Sequence, residues 1–217
     1  MNDLKTYFKN NTKRIIHKWH HYFDIYEKYF NKYRGKKVVI LEIGVSFGGS
    51  LQMWKDYFGS KAKIYGIDIN KKCKEYEEKN IKIFIGSQTN KAFLKEVKES
   101  IPKIDILIDD GGHQMHQQIT SFDEMYDHIK DNGIYVCEDV HTSYIPKYGG
   151  GYKKFTFIEY IKNIIDYINA DHSEELKVNK YTKTINAIHY YETLVIIEKK
   201  KKTKSIHTYK GKNETTT

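Results

Sequence analysis

Five short apolar runs recur along the chain, each closed by a polar or glycine-rich turn and followed by a stretch with helical spacing. Val38–Ile43, broken only by Glu42, is the first, and its β-branched, nearly all-apolar character predicts a parallel strand covered on both faces. The others are Lys63–Ile69, Ile81–Ile85, Ile104–Ile108 and Ile134–Cys137. Between and after them, helical spacing appears over Ser50–Phe58, Lys71–Lys79, Lys91–Ser100, Gln117–Ile129 and Phe155–Ala170. Pro102 ends one of these helices, and Asp131-Asn132-Gly133 reads as the turn into the fifth strand. Two further runs, Thr184–Tyr190 and Thr193–Lys199, are close enough to form an antiparallel hairpin. Residues 1–34, rich in Tyr, Phe and His, predict one or two amphipathic helices closed by Gly35. This alternation predicts an α/β fold: a doubly wound, mostly parallel seven-stranded sheet with a C-terminal antiparallel hairpin. Three parts follow: a helical segment over 1–37, a catalytic domain over 38–199 and a basic, disordered tail over 200–217.

Composition refines this picture. The 217 residues are 39% hydrophobic, enough for one sizeable core and against wholesale disorder. The net charge of +9 invites a nucleic acid or an anionic membrane as partner. Its distribution argues otherwise: residues 1–37 carry +7, residues 38–198 carry −4 and residues 199–217 carry +6, so the body that would hold a site is acidic. The two cysteines, Cys73 and Cys137, build no disulfide framework, and Cys137 reads as a small buried hydrophobe. No apolar run is long enough for a signal peptide or a membrane span, so a soluble, cytoplasmic protein is expected.

In an open α/β sheet, ligands bind beyond the carboxyl ends of the strands. The first strand runs into Gly44-Val45-Ser46-Phe47-Gly48-Gly49-Ser50, a turn whose amides and close backbone approach suit a ligand. Ser46 stands where a dinucleotide fingerprint needs glycine, and no Gly-Lys-Ser/Thr exists for a P-loop. Glu42 suits an ammonium group or hydroxyls rather than phosphate. Asp68 ends the second strand, placed to grip a ribose diol, although a plain turn would also use Gly and Asp. Gly86-Ser87-Gln88-Thr89-Asn90, after the third strand, offers polar groups for an adenine edge and equally reads as a turn. Asp109-Asp110 and Glu138-Asp139 end the fourth and fifth strands, with His113 one turn beyond Asp110. Carboxylates crowded in this way repel unless something positive lies among them, and a hard divalent cation is the economical answer. Helix capping is the alternative use of such acids.

These segments resemble class I S-adenosylmethionine-dependent methyltransferases, and more closely the metal-dependent sugar O-methyltransferases of macrolides and bacterial glycans, grouped with cephalosporin hydroxylase-like sequences. The resemblance covers roughly 17–198 and rests on HHYFDIYEKYF at 20–30, VVILEIGVSFGGSLQMWKDYFG at 38–59, IYGIDIN at 64–70, IDDGGHQMHQQ at 108–118 and CEDVHTSYIPKYGGG at 137–151. It implies magnesium on Asp110, Glu138 and Asp139, and His113 as the catalytic base. It further implies S-adenosylmethionine over Glu42, Gly44, Ser46, Gly48, Ser50, Asp68, Asn70, Ser87, Gln88 and Asp109. The segment over 86–90 departs from the GDQSD usual in the family, which shifts adenine recognition towards Gln88. His21, Tyr22, His141, Tyr144 and Tyr148 are candidates for the wall of a sugar pocket, although in a chain with 19 tyrosines core and surface roles remain open.

The expected activity is methyl transfer to a sugar hydroxyl of a glycan, a sugar nucleotide or a glycosylated metabolite. A catechol-type O-methyltransferase is the principal alternative. A nucleic-acid methyltransferase is disfavoured because amino-group enzymes use a Pro-Pro motif and the two prolines, Pro102 and Pro146, lie far apart. A non-haem iron oxygenase needs two histidines and a carboxylate, and its only triplet, His172-Ser173-Glu174, sits in a polar loop. The region ahead of residue 38 is shorter than the extra domain of some macrolide enzymes, so their homo-oligomeric assembly is an open expectation here.

Overall fold

A computed structural model describes residues 3–211. Seven strands form one sheet in the order β3-β2-β1-β4-β5-β7-β6. They are β1 Val39–Ile43, β2 Lys63–Asp68, β3 Ile81–Ile85, β4 Ile104–Asp109, β5 Ile129–Cys137, β6 Ile185–Tyr191 and β7 Leu194–Lys199. β1 to β5 pair with one another in parallel, while β7 runs antiparallel to both β5 and β6. The expected architecture is therefore present, with strand bounds close to those read from the apolar runs.

The helices lie on both faces. α1 (Asp3–Lys9), α2 (Tyr22–Phe30) and α3 (Gly49–Phe58) cover one; α4 (Lys91–Ser100), α5 (Met115–Met125), α6 (Phe157–Ile168) and α7 (Lys180–Thr184) cover the other. Because side chains alternate along a strand, Val38 and Ile40 enter the first core, while Val39, Leu41 and Ile43 enter the second. The same parity sends Ile106, Ile108, Ile134 and Val136 to the first core and Leu107, Tyr135 and Cys137 to the second. Cys137 is fully buried, as expected of a small hydrophobe. Trp54, Tyr26, Phe30 and Phe58 form an aromatic cluster between α2, α3 and the sheet.

Three local expectations need correction, and one short helix was not foreseen. The helical pattern over 1–34 is interrupted: between α1 and α2 the chain has no regular secondary structure, and there the Asn11 side chain accepts from the Lys13 amide and donates to the Arg14 carbonyl, fixing a turn. The segment after β2 is a 3-10 helix over Lys71–Tyr76, capped by Asn70. Asp131-Asn132-Gly133 lies inside β5, where pairing with β4 shifts register between Ile104 and Ile106 and Asn132 takes φ +68°. α7, a five-residue polar helix capped by Asn179, has no hydrophobic period to reveal it. Past β7, the Lys200 and Lys202 amides still donate to the Thr184 and Lys183 carbonyls. Residues 200–211 have no regular secondary structure, and 212–217 of the expected tail lie outside the described residues. No helix among the described residues is long and apolar enough to cross a membrane.

Candidate functional site

Strand parity builds the site. Glu42, Asp110 and Glu138 continue the alternating positions that face α2 and α3, and β1, β4 and β5 are neighbours, so the three carboxylates converge on one side of the sheet. The positive charge among them comes from the chain itself. Lys18, on the irregular segment between α1 and α2, places Nζ 2.5 Å from Asp110 Oδ2, 2.9 Å from each Glu138 oxygen and 3.5 Å from Glu42 Oε1. Its side chain is 2% exposed. Burial opposes the ammonium charge, but Asp110, Glu138 and Glu42 outweigh it and hold Lys18 protonated well above the ordinary lysine range. No apolar period marked this residue. The available signal was the parity itself, since three acids on one face need a cation.

The acids divide by depth. Glu42 is fully buried; it accepts from Ser50 Oγ and Trp54 Nε1, and burial pushes its carboxyl up to about 6. Glu138, 1% exposed, also accepts from Tyr26 Oη at 2.5 Å, so both of its oxygens face protein donors. Burial and the Asp110 charge push the Glu138 carboxyl up against the pull of Lys18. Asp109 has opposite parity and points to the other core, where Gln88, Tyr135 and the Gly111 amide donate to it and burial pushes it up to about 7. Asp110 and Asp139 are the open pair, with side chains 21% and 22% exposed.

His113 faces that open pair, with Nε2 3.9 Å from Asp110 Oδ1 and 3.6 Å from Asp139 Oδ2. One ligand atom from each of Asp110, His113 and Asp139 lies within 4.8 Å of the others. These hard, partly exposed oxygens fit a divalent cation. The buried Nδ1 of His113 has no hydrogen-bond partner among the described residues. Ser46, His113 and Asp139 all hold left-handed backbone, with φ of 50°, 57° and 53°. Such conformations cost energy for non-glycine residues and cluster where side chains must be aimed.

Two adjoining cavities of about 300 and 320 Å³ share Gly44, Ser46, Asp110 and Gly111. The first lies under the 15–19 segment and reaches Ser50, His113 and Asp139; the second runs past Asp68, Ser87 and Gln88. A Cβ on Gly44 would come within 2.0 Å of the Asp110 carbonyl oxygen, so this glycine lets β1 and β4 end side by side. Asp68 Oδ2 accepts from the Val45 and Ser46 amides and Oδ1 from the Asn70 amide, which shapes the turn from below.

Some expected cofactor residues do not face these cavities. Glu42 and Asp109 are buried beneath them, and Asn70 caps the 3-10 helix. Gly48 packs against Tyr76, which a Cβ there would meet at 2.8 Å. Gln88 lines the second cavity, but its amide already donates to Asp109 and Ser121 and accepts from Gly112. Among the proposed sugar-pocket residues, Tyr22 lines the first cavity and donates to Asp139. His21 instead bonds the Glu192 carbonyl in the β6–β7 turn. Tyr148 lies edge-on to His113 with ring centroids 6.4 Å apart. His141 and Tyr144 line a separate, largely apolar groove with Ile158, Ile165 and Tyr190. Trp19, absent from the expected set, is half exposed, meets His141 edge-on and donates from Nε1 to Asp139 Oδ1 at 2.9 Å.

Comparison with known proteins gives a consistent answer. Residues 41–140 match a family model described as a methyltransferase domain. The chain is 32% identical, over 84% of its length, to 8-demethyl-8-alpha-L-rhamnosyl tetracenomycin-C 2'-O-methyltransferase of Streptomyces olivaceus, covering 52% of that protein. It is 33% identical, over 87% of its length, to demethylmacrocin O-methyltransferase of Streptomyces fradiae, covering 51% of it. Among solved structures, the MycE methyltransferase of mycinamycin biosynthesis, in complex with Mg, SAH and mycinamycin VI, matches 92% of this chain and 53% of its own at TM-score 0.82 and 30% identity. The chain thus spans about half the length of the curated relatives it matches. Residues 41–140 thus form a methyltransferase domain, and with its seven-stranded sheet, glycine turn and strand-end acids the chain is similar over most of its length to these O-methyltransferases.

Proposed function

We propose that the protein is a metal-dependent O-methyltransferase that transfers the methyl group of S-adenosylmethionine to a sugar hydroxyl. The observation that carries this reading is the convergence of Asp110, Asp139 and His113 at the mouth of a cavity that continues into the Gly44–Phe47 turn. The relatives named above act on a rhamnosyl tetracenomycin and on demethylmacrocin, which supports a glycosylated acceptor. The acidic body and the absence of a Pro-Pro motif disfavour nucleic acid, and cytoplasmic action with a diffusible cofactor fits this scheme.

In this proposal the cofactor's amino-acid end lies in the first cavity, against Gly44, Ser46 and Ser50, and its nucleoside in the second, near Asp68, Ser87 and Gln88. Asp110 and Asp139 would hold magnesium. Glu138, expected as a third ligand, would reach the ion only by releasing part of its contact with Lys18 and Tyr26. When bound, the ion makes a hydroxyl beside it easier to deprotonate and the sulfonium supplies an electrophilic methyl group. His113 Nε2 accepts the hydroxyl proton, on the side of the cavity where Asp110 and Asp139 stabilise the resulting imidazolium. The 15–19 segment and Tyr22 wall off solvent from this corner, and most of the rate enhancement comes from orienting acceptor and donor.

The test supplies labelled S-adenosylmethionine and magnesium with a panel of rhamnosyl glycosides, sugar nucleotides and catechols. Label on a sugar oxygen, lost in EDTA and restored by magnesium, is the expected result. Label on catechols alone would replace the acceptor class, and full transfer in EDTA would remove the ion.

A further inference from the structure

The segment over residues 11–20 is tied to both halves of the site. Arg14 donates from Nη1 to the Tyr76 carbonyl at 3.1 Å and lies 4.9 Å over the Tyr76 ring. At Gly49 a Cβ would come within 2.2 Å of the Ile15 carbonyl oxygen, so the segment lies directly on the N-terminus of α3. Further on, Lys18 reaches Asp110, Glu138 and Glu42, and Trp19 reaches Asp139. Two neighbouring side chains of one strap therefore hold the two carboxylates that remain open to an ion.

We propose that Lys18 is a resident cation of the acid cluster that shares Asp110 and Glu138 with the divalent ion, so that the seating of this strap sets how tightly the ion is held. This rests on the metal role proposed above. A unit charge 2.5–2.9 Å from these carboxylates reduces the attraction they offer a second cation, the more so because burial limits screening by water. The coupling is reciprocal: an ion that draws on Asp110 and Glu138 weakens their hold on Lys18 to the same extent. Lys18 is thus a positioning residue. It keeps Glu42 and Glu138 neutralised before the ion arrives, and it couples loading of the metal corner to the wall of the cofactor cavity, which Ile15, Ile16 and His17 also line.

Titration with Mn²⁺ alone, followed by the electron paramagnetic resonance signal of free Mn²⁺, tests this without any turnover. Lys18→Met is expected to bind Mn²⁺ roughly tenfold more tightly than the wild type, because a charge inside the ligand cluster has been removed. Lys18→Arg, which keeps the charge, should stay near the wild-type affinity. Unchanged or weaker binding by Lys18→Met overturns the proposal while leaving the metal reading intact; a wild-type protein that binds no Mn²⁺ overturns both. Should Lys18→Met fail to fold, the wild-type chain carries the test: hydrogen exchange at the amides of residues 13–19 is expected to speed up at saturating Mn²⁺, and unchanged or slower exchange contradicts the shared-carboxylate arrangement.

Discussion

The two acidic strand ends each pair a buried carboxylate with an open one. Asp109 and Glu138 are 1% exposed, whereas their chain neighbours Asp110 and Asp139 keep about a fifth of their side chains in solvent. The buried members, with Glu42, are engaged by protein donors: Gln88 and Tyr135 for Asp109, Lys18 and Tyr26 for Glu138, and Ser50 and Trp54 for one oxygen of Glu42, whose other oxygen lies 3.5 Å from Lys18 Nζ. The open members face His113 and the cavity. The difference teaches that one residue type serves two purposes a single position apart. Inner acids are enclosed by protein donors, whereas outer acids, although each also meets the strap through Lys18 or Trp19, keep an open side towards the cavity for an ion and a reacting hydroxyl.

The largest effect that could break this division concerns His113. His113→Ala is expected to lower kcat by roughly 10²–10⁴-fold, the usual range for a general base, while S-adenosylhomocysteine binding measured by calorimetry stays near wild type. A variant that loses cofactor affinity instead would make His113 part of the cavity wall. Next come the open acids. Asp110→Asn and Asp139→Asn should each weaken Mn²⁺ binding by about tenfold or more, because carboxylate charge count sets divalent affinity, whereas Glu42→Gln should weaken it far less. Equal losses in all three would erase the distinction between inner and outer acids.

Among the inner acids, Tyr26→Phe removes a buried donor to Glu138 and should cost about 1.5–3 kcal/mol of unfolding free energy, the range for hydrogen bonds to charged groups. Urea denaturation measures it, and a loss below about 0.5 kcal/mol would mean that the bond matters little. The smallest effect is a pH slope. The native Asp109 carboxyl keeps its proton up to about 7 because it is buried, whereas an unfolded aspartate releases it near ~4. Its raised pKa therefore contributes stability that is fully present below ~4 and is lost as pH rises towards about 7. Asp109→Asn should flatten the decline in urea midpoint between pH 5 and pH 8; an unchanged slope would place its origin in other groups.

The strand ends were legible in the sequence because parallel strands covered on both faces read as near-continuous apolar runs, and an acid at such an end stands out. Glu42, Asp68, Asp110, Glu138 and Asp139 can be singled out from that rule, and His113 by its place one turn beyond Asp110 and by the family resemblance. Their division was harder to see. Adjacent Asp109 and Asp110 look equivalent in a sequence, and only the alternation of the strand, anchored by Ile108 in one core and Leu107 in the other, turns them to opposite faces. The crowded acids call for a positive charge, which the motif alone assigns to a metal; the structure places the Lys18 ammonium among them. Lys18 was hidden because its aromatic-rich surroundings, HKWHHYF at 17–23, imitate a helix, although the helix there starts only at Tyr22. His21, picked for a sugar pocket by the same aromatic density, is held by the β6–β7 turn instead. Long-range contacts of this kind, such as Lys18 to Glu138 across 120 positions, leave no local period to detect.

The account stands on Asp110 and Asp139 as the open, ion-holding acids beside His113. Anomalous diffraction from crystals grown with Mn²⁺ and S-adenosylhomocysteine tests it most directly. The prediction is a single peak in direct contact with Asp110 and Asp139 oxygens, next to the His113 ring; no peak there, or one held only by the inner acids Glu42 and Glu138, would contradict it.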